Sequence, residues 1–292
     1  MDSSKFRISR LFLYFVLVSL FLFVSGNVGR YLIEFQGLSR QIGMLLQGVI
    51  FTGLTLTVLY LLKRKNPDVL KKIGLRGVHS PSKLIIGMAL PFILLISGIS
   101  TAYLMGGIEN LRLNISASVI SAIFINTVTA FMYEAFPEEV FIRGLIFEEL
   151  QKKFRFIISL VLQPFIFICV PTVVIAFESI VFDTPLALTI GYFILLYTFG
   201  IALQLYRKYT GTLWMGIIFH VVYLEVTRYI SMGGQYNPDV ALLEFDEVIG
   251  GFMSLYLSFL FILVLSVVVL SVLLLIDKRK SKVSKLNSHV EL

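Results

Sequence analysis

Apolar residues run along this chain in long unbroken blocks. They show neither the alternation of a half-buried strand nor the one-sided stripe of a surface helix. Blocks of about 20 residues match the hydrocarbon thickness of a bilayer. The first covers Leu11–Val24, behind Lys5, Arg7 and Arg10. It has no small-residue cleavage site and more blocks follow, so it reads as an uncleaved span, not a signal peptide. Further spans are predicted near Ile42–Leu62, Leu84–Leu104, Ala117–Phe136, Phe156–Phe177, Leu186–Tyr206, Leu213–Tyr229 and Gly250–Ile276. Pro91 is expected to kink the third, and Pro164 and Pro171 to interrupt the fifth. Met105–Ser116 has a turn composition, and Phe147–Phe156 reads as an amphipathic turn at the membrane interface. The predicted fold is an all-α polytopic membrane protein, a bundle of about eight transmembrane helices.

The polar segments set the expected orientation. Basic clusters fall at the N-terminus, at Lys63–Lys83, at Lys152–Arg155, at Arg207–Lys208 and at Lys278–Lys285, after alternate spans. The loop Ser231–Val248 is acidic and has no Lys or Arg. Positive-inside bias then predicts both termini in the cytoplasm. The chain divides into an N-terminal transmembrane hairpin with a basic loop (1–72), a transmembrane core including the last helix (73–276) and a basic tail (277–292). The tail past Lys280 is expected to be disordered on the membrane surface.

Composition agrees. The 292 residues are 57% hydrophobic and 15% charged, against about 25% charged in soluble domains. Mean hydropathy is +0.89. The 26 Phe and 13 Tyr suit lipid-facing and interfacial positions. The net charge of +7 sits in short clusters between apolar blocks, which argues for contact with anionic headgroups and against nucleic acid. One cysteine, Cys169, excludes an internal disulfide.

Candidate chemistry is concentrated in Glu134-Ala-Phe-Pro-Glu138-Glu139-Val-Phe-Ile-Arg143-Gly144. Ionised groups in a span persist only when paired, wetted or used. On a regular helix Glu134 and Glu138 share a face, and Glu139 and Arg143 stand in the order that suits an ion pair. Glu139 is therefore expected to be neutralised by Arg143 while Glu138 faces a cavity as a general base. The alternative is a buried ion-pair network that only locks helices together. His220, in the middle of an apolar helix, is the one other candidate site residue. Glu225 and Arg228, three apart, read as a local salt bridge; His79 and His289 read as exposed, without a site role.

The succession Glu138-Glu139-Val-Phe-Ile-Arg143-Gly144, then an apolar hairpin, then Thr210-Gly-Thr-Leu-Trp leading to His220, resembles the CAAX-protease and bacteriocin-processing family of intramembrane endopeptidases. Ile73-Gly74-Leu75-Arg76 adds to the likeness, which is strongest over Ile73–Tyr229. The resemblance implies an eight-helix bundle with a site sunk in the membrane and reached from the cytoplasm. It implies Glu138 as the group that activates water, the Glu139–Arg143 pair as structural, and His220 as an oxyanion donor. It implies as partner a membrane peptide or a partner protein's transmembrane helix, in a bacterial plasma membrane.

Two positions depart from the family's pattern. Where its second motif, Phe-x-x-x-His, is expected, this chain reads Phe167-Ile-Cys-Val-Pro171. Where His-x-x-x-Asn is expected, it reads His220-Val-Val-Tyr-Leu224. Proline and leucine side chains neither donate nor accept. Tyr223 and Thr227, within a turn or two of His220, are candidate replacement donors. Catalytic zinc wants about three protein ligands, and one span histidine does not supply them. A divalent metal would be a hard cation on Glu134 and Glu138; no other cofactor is expected. Two readings follow: an endopeptidase with a pared-down site, or a non-cutting relative that binds a peptide or helix as regulator, chaperone or bacteriocin-immunity factor. A proton-relay transporter lacks the expected internal repeats.

Overall fold

The computed structural model describes residues 5–77, 80–183, 185–186, 188–231, 240–248, 252 and 255–290, with backbone alone for 231 and 282–290. His79 and part of the predicted acidic loop lie outside the described residues, and of His289 only the backbone is described.

Among the described residues, eight helices are long and apolar enough to cross a membrane. These are α1 (Ile8–Glu34), α2 (Arg40–Lys65), α4 (Pro81–Leu104), α5 (Ala117–Gln151), α6 (Phe156–Phe182), α7 (Ile190–Thr210), α8 (Leu213–Ile230) and α9 (Leu255–Ser281). A short α3 (Val69–Lys72) lies between α2 and α4. This is the all-α polytopic architecture expected from the apolar blocks. The helices overrun those blocks at several ends, because polar residues near their tips find partners. Asn27 and Arg30 at the end of α1 both reach Glu178 on α6, at 3.0 and 3.1 Å.

Three local expectations are corrected. The segment read as a turn contains a strand, β1 (Ile108–Leu113), which pairs antiparallel with β2 (Leu243–Glu247). The backbone groups of each strand find partners only on the other, distant in sequence, so local composition does not reveal them. Helix α6 runs unbroken through Pro164 and Pro171. The tail past Lys280, expected to be disordered, continues the last helix to Val290.

The most buried part of the molecule is the end of α5 and what packs on it. Val140, Phe141 and Ile142 are fully buried, as are Leu203 of α7 and Leu213 of α8. Helix α5 is not regular there. It widens into π turns at Phe131–Ala135 and Glu139–Ile146, separated by Phe136–Glu138. Pro137 supplies a local cause. A π turn would have the residue-137 nitrogen serve the Met132 carbonyl, but a prolyl nitrogen has no hydrogen to give. The Thr52 hydroxyl of α2 takes that carbonyl instead, at 2.5 Å. Pro137 thus ends the first π turn, and the Thr52 hydroxyl serves the carbonyl it leaves unpaired.

The opposite flank is tied by backbone contacts. Gly74, at φ +83°, turns its carbonyl toward the α7–α8 corner, where it accepts from Leu213 N at 2.9 Å and Thr212 Oγ1 at 3.1 Å. A side chain at this position would be conformationally strained, and its Cβ would stand 3.1 Å from Leu213 N. Trp214 Nε1 donates to the Leu75 carbonyl at 3.2 Å. The Ile73–Arg76 segment therefore docks on the entry to the histidine helix.

Candidate functional site

Glu139 is the centre of the buried polar cluster. Its carboxylate and the Arg143 side chain are wholly buried, with Arg143 Nη1 3.0 Å from Glu139 Oε1. The same oxygen lies 3.2 Å from Nδ1 of His220, on α8. Gly216, one turn before His220, makes this approach possible: a Cβ there would come within 3.1 Å of Glu139 Oε2. Two aromatic rings close the cluster. The Arg143 guanidinium carbon sits 4.2 Å from the Phe167 ring centre, and the Phe199 ring meets the imidazole edge-on at 4.7 Å. Phe167 is the residue that opens the degenerate second motif, so its aromatic half is present and packs on the ion pair.

The electrostatics follow from this geometry. A buried carboxylate is costly unless paired, and Arg143 cancels its charge. The orientation of a histidine is fixed by the bond its other nitrogen makes. With a hydrogen on Nδ1 directed at Glu139, a neutral imidazole offers Nε2 as a proton acceptor; a protonated one offers Nε2–H as a donor. The ring thus serves as a base in one form and as an oxyanion donor in the other. The Arg207 guanidinium braces the cluster from α7. It donates to the Arg143 carbonyl and, at 2.8 Å, to Glu148 Oε1.

Glu138 stands apart. Its neighbour Glu139 takes both the guanidinium and the imidazole, and among the described residues no hydrogen-bond or ion-pair partner reaches the Glu138 side chain. The expectation that Glu139 pairs with Arg143 is met. His220, the other candidate site residue, is joined to Glu139 through Nδ1.

A second polar network lies nearer the other end of α5. Arg228 of α8 donates to Glu134 Oε1 at 2.6 Å and to Asn126 Oδ1 at 3.0 Å. Glu225 accepts from Asn126 Nδ2 at 2.6 Å and Thr127 Oγ1 at 3.1 Å. The predicted local Glu225–Arg228 salt bridge is thus replaced by contacts across helices. Glu134 is thereby tied to α8 through Oε1. Of the two candidate replacement donors, Thr227 gives its hydroxyl to the Leu224 carbonyl at 3.0 Å. The Tyr223 hydroxyl has no hydrogen-bond partner among the described residues. No group of three or more metal-ligating side chains occurs among the described residues.

Sequence reasoning missed Gly216, Phe199 and Asn126. Gly216 left a signal, a glycine one helical turn before a span histidine. Phe199 and Asn126 left none, being one among many aromatics and one polar residue in an apolar run.

Residues 119–224 match the family model described as type II CAAX prenyl endopeptidase Rce1-like. The matched stretch runs from the start of α5 into α8 and includes Glu138, Glu139, Arg143 and His220. With its eight apolar helices, this makes the chain a multi-pass membrane protein similar to CAAX proteases. No curated protein and no solved structure matches the chain.

Proposed function

We propose that this protein hydrolyses peptide bonds in membrane-associated peptides or in a partner's transmembrane segment. Glu138 is the base that activates water, and His220, oriented by Glu139, is the second polar group at the reacting carbonyl. The observation that carries this reading is the division of labour between adjacent carboxylates. Glu139 Oε1 is held by the guanidinium and the imidazole, while Glu138 has no partner among the described residues although it lies in a span, where an unused carboxylate is costly. In the step itself, water oxygen attacks the carbonyl carbon and its proton passes to Glu138. The tetrahedral oxyanion collapses, and the same proton leaves with the amine nitrogen as the C–N bond breaks. Arg143 holds Glu139 and takes no part in proton transfer. The basic clusters support a cytoplasmic position for both termini, and the proposed setting is a bacterial plasma membrane.

A second reading has its own support. Pro171 and Leu224 stand where the resemblance calls for polar side chains, and a site lacking both suits a binder that holds a peptide or helix uncut, as regulator, chaperone or immunity factor. One substitution separates the two. Glu138→Gln preserves shape and removes the base. The hydrolytic reading expects processing of a membrane peptide by the reconstituted protein to fall by about 10²–10⁴ with peptide affinity retained. Processing unchanged by Glu138→Gln would end that reading, and binding with no processing by the unaltered protein would establish the second.

A further inference from the structure

Two clefts among the described residues adjoin one another and differ in character. The larger, about 410 Å³, lies where α1 passes to α2, with Arg30, Arg40, Gln47, Tyr133 and Glu178 on its walls. The smaller, about 190 Å³, lies between α1 and α6 and is lined by Phe15, Leu20, Phe23, Val173 and Phe177, with Ser19 as its one polar residue. Val174 borders both. The pair therefore forms a polar head compartment continuous with an apolar groove.

We infer that this composite site binds an anionic phospholipid, its phosphate in the head compartment and an acyl chain in the groove. The charge favours an anion. Glu178 is neutralised by Arg30 at 3.1 Å and also accepts from Asn27. Arg40 has no ion-pair partner, and the Tyr133 hydroxyl has no hydrogen-bond partner, among the described residues. One uncompensated guanidinium and one unspent hydroxyl are the donor set that a phosphate oxygen requires. The dimensions favour a lipid. From Arg30 back to Val16 along α1 is about 21 Å at the helical rise per residue, enough to cover one leaflet of a hydrocarbon core about 30 Å thick. The groove chemistry disfavours a peptide, whose backbone would meet a single polar side chain there and leave most of its amides unpaired. A soluble anion would make no use of the groove. The cleft also takes in Pro171, so the headgroup lies against the position where a family histidine is absent. The inference stands whether or not the protein cuts peptides.

The test uses the full chain in detergent micelles or nanodiscs, with lipid retention read by native mass spectrometry and unfolding followed by temperature. Phosphatidylglycerol is expected to be retained and to raise Tm; phosphatidylcholine and inorganic phosphate are not. Arg40→Gln is expected to weaken phosphatidylglycerol about tenfold, the loss of one charge-assisted contact, with Arg40→Lys in between. Leu20→Trp, which fills the apolar groove, is expected to abolish retention. Replacing Lys278, Arg279 and Lys280 together by Gln is expected to change nothing. Equal protection by inorganic phosphate, full retention in Arg40→Gln and Leu20→Trp, or loss in the triple tail variant would each overturn the inference.

Discussion

Glu139 and His220 meet at 3.2 Å, Oε1 to Nδ1, inside a bundle where both side chains are almost wholly buried. Arg143 lies 3.0 Å from the same oxygen, so one carboxylate holds a guanidinium and an imidazole at once. Glu139→Gln keeps the shape and strands Arg143 as an uncompensated buried cation. Breaking one side of such a pair costs roughly 3–5 kcal/mol, and thermal unfolding should show it. Replacing both members, as Glu139→Gln with Arg143→Met, should recover much of the loss, because no charge is then stranded. A single variant as stable as the unaltered protein would mean that the pair contributes nothing to the bundle.

Gly216 sets how closely Glu139 approaches the histidine helix. A methyl group at Gly216 would fall 3.1 Å from Glu139 Oε2, tighter than van der Waals contact, so the carboxylate must shift by a few tenths of an ångström. Gly216→Ala removes a helix-weakening glycine, a gain of about 1 kcal/mol, and at the same time disturbs the Glu139–His220 contact. The expected result is a protein of nearly unchanged Tm whose processing rate falls by about tenfold or more, since small misplacements near reacting groups are costly. Full activity in Gly216→Ala would show that the contact does not position the imidazole for chemistry.

Arg228 provides a test of the second network. It bridges α5 and α8 by donating to Glu134 and Asn126, while Glu225 is served by Asn126 and Thr127. Arg228→Met should therefore cost roughly 2–3 kcal/mol, a lost hydrogen-bonded charge pair, and Glu134→Gln in the same chain should restore part of it. Glu225→Gln should cost under about 1 kcal/mol, because its amide oxygen still accepts from both donors. A double-mutant cycle on denaturation measures the coupling directly. Coupling between Arg228 and Glu225 larger than that between Arg228 and Glu134 would contradict this arrangement.

The parts of this fold that were legible in the sequence are those set by bulk transfer to lipid. Eight apolar blocks give eight span-length helices because hydrocarbon thickness leaves little choice. The Glu139–Arg143 pair was also legible, since four-residue spacing brings its partners together along one helix. What depends on helix phase was not. The π turns at Phe131–Ala135 and Glu139–Ile146 depart from the regular period on which such a reading rests. Which of Glu138 and Glu139 meets His220 depends on the same phase. The choice of Glu134 over Glu225 by Arg228 comes from packing between α5 and α8, which spacing on a single helix does not encode. The β1–β2 pair was hidden for a similar reason, as each strand is explained only by the other.

The degenerate motifs allow the two functional readings to be told apart by addition instead of removal. Pro171→His places an imidazole where the second motif lacks one. The change also returns a backbone N–H to the interior of α6, so it carries no helix-breaking penalty. Leu224→Asn puts an amide one turn beyond His220. If Glu138 is a base working in a depleted site, the pair of changes should raise hydrolysis of a membrane peptide by about 10² or more, less than the product of the separate gains, because residues that act together are not additive. Adding Glu138→Gln to that variant should return the rate to background. A gain that survives Glu138→Gln would assign the base elsewhere. No gain in a folded double variant would mean that Glu138, Glu139 and His220 are arranged for holding a ligand, with the chemistry gone.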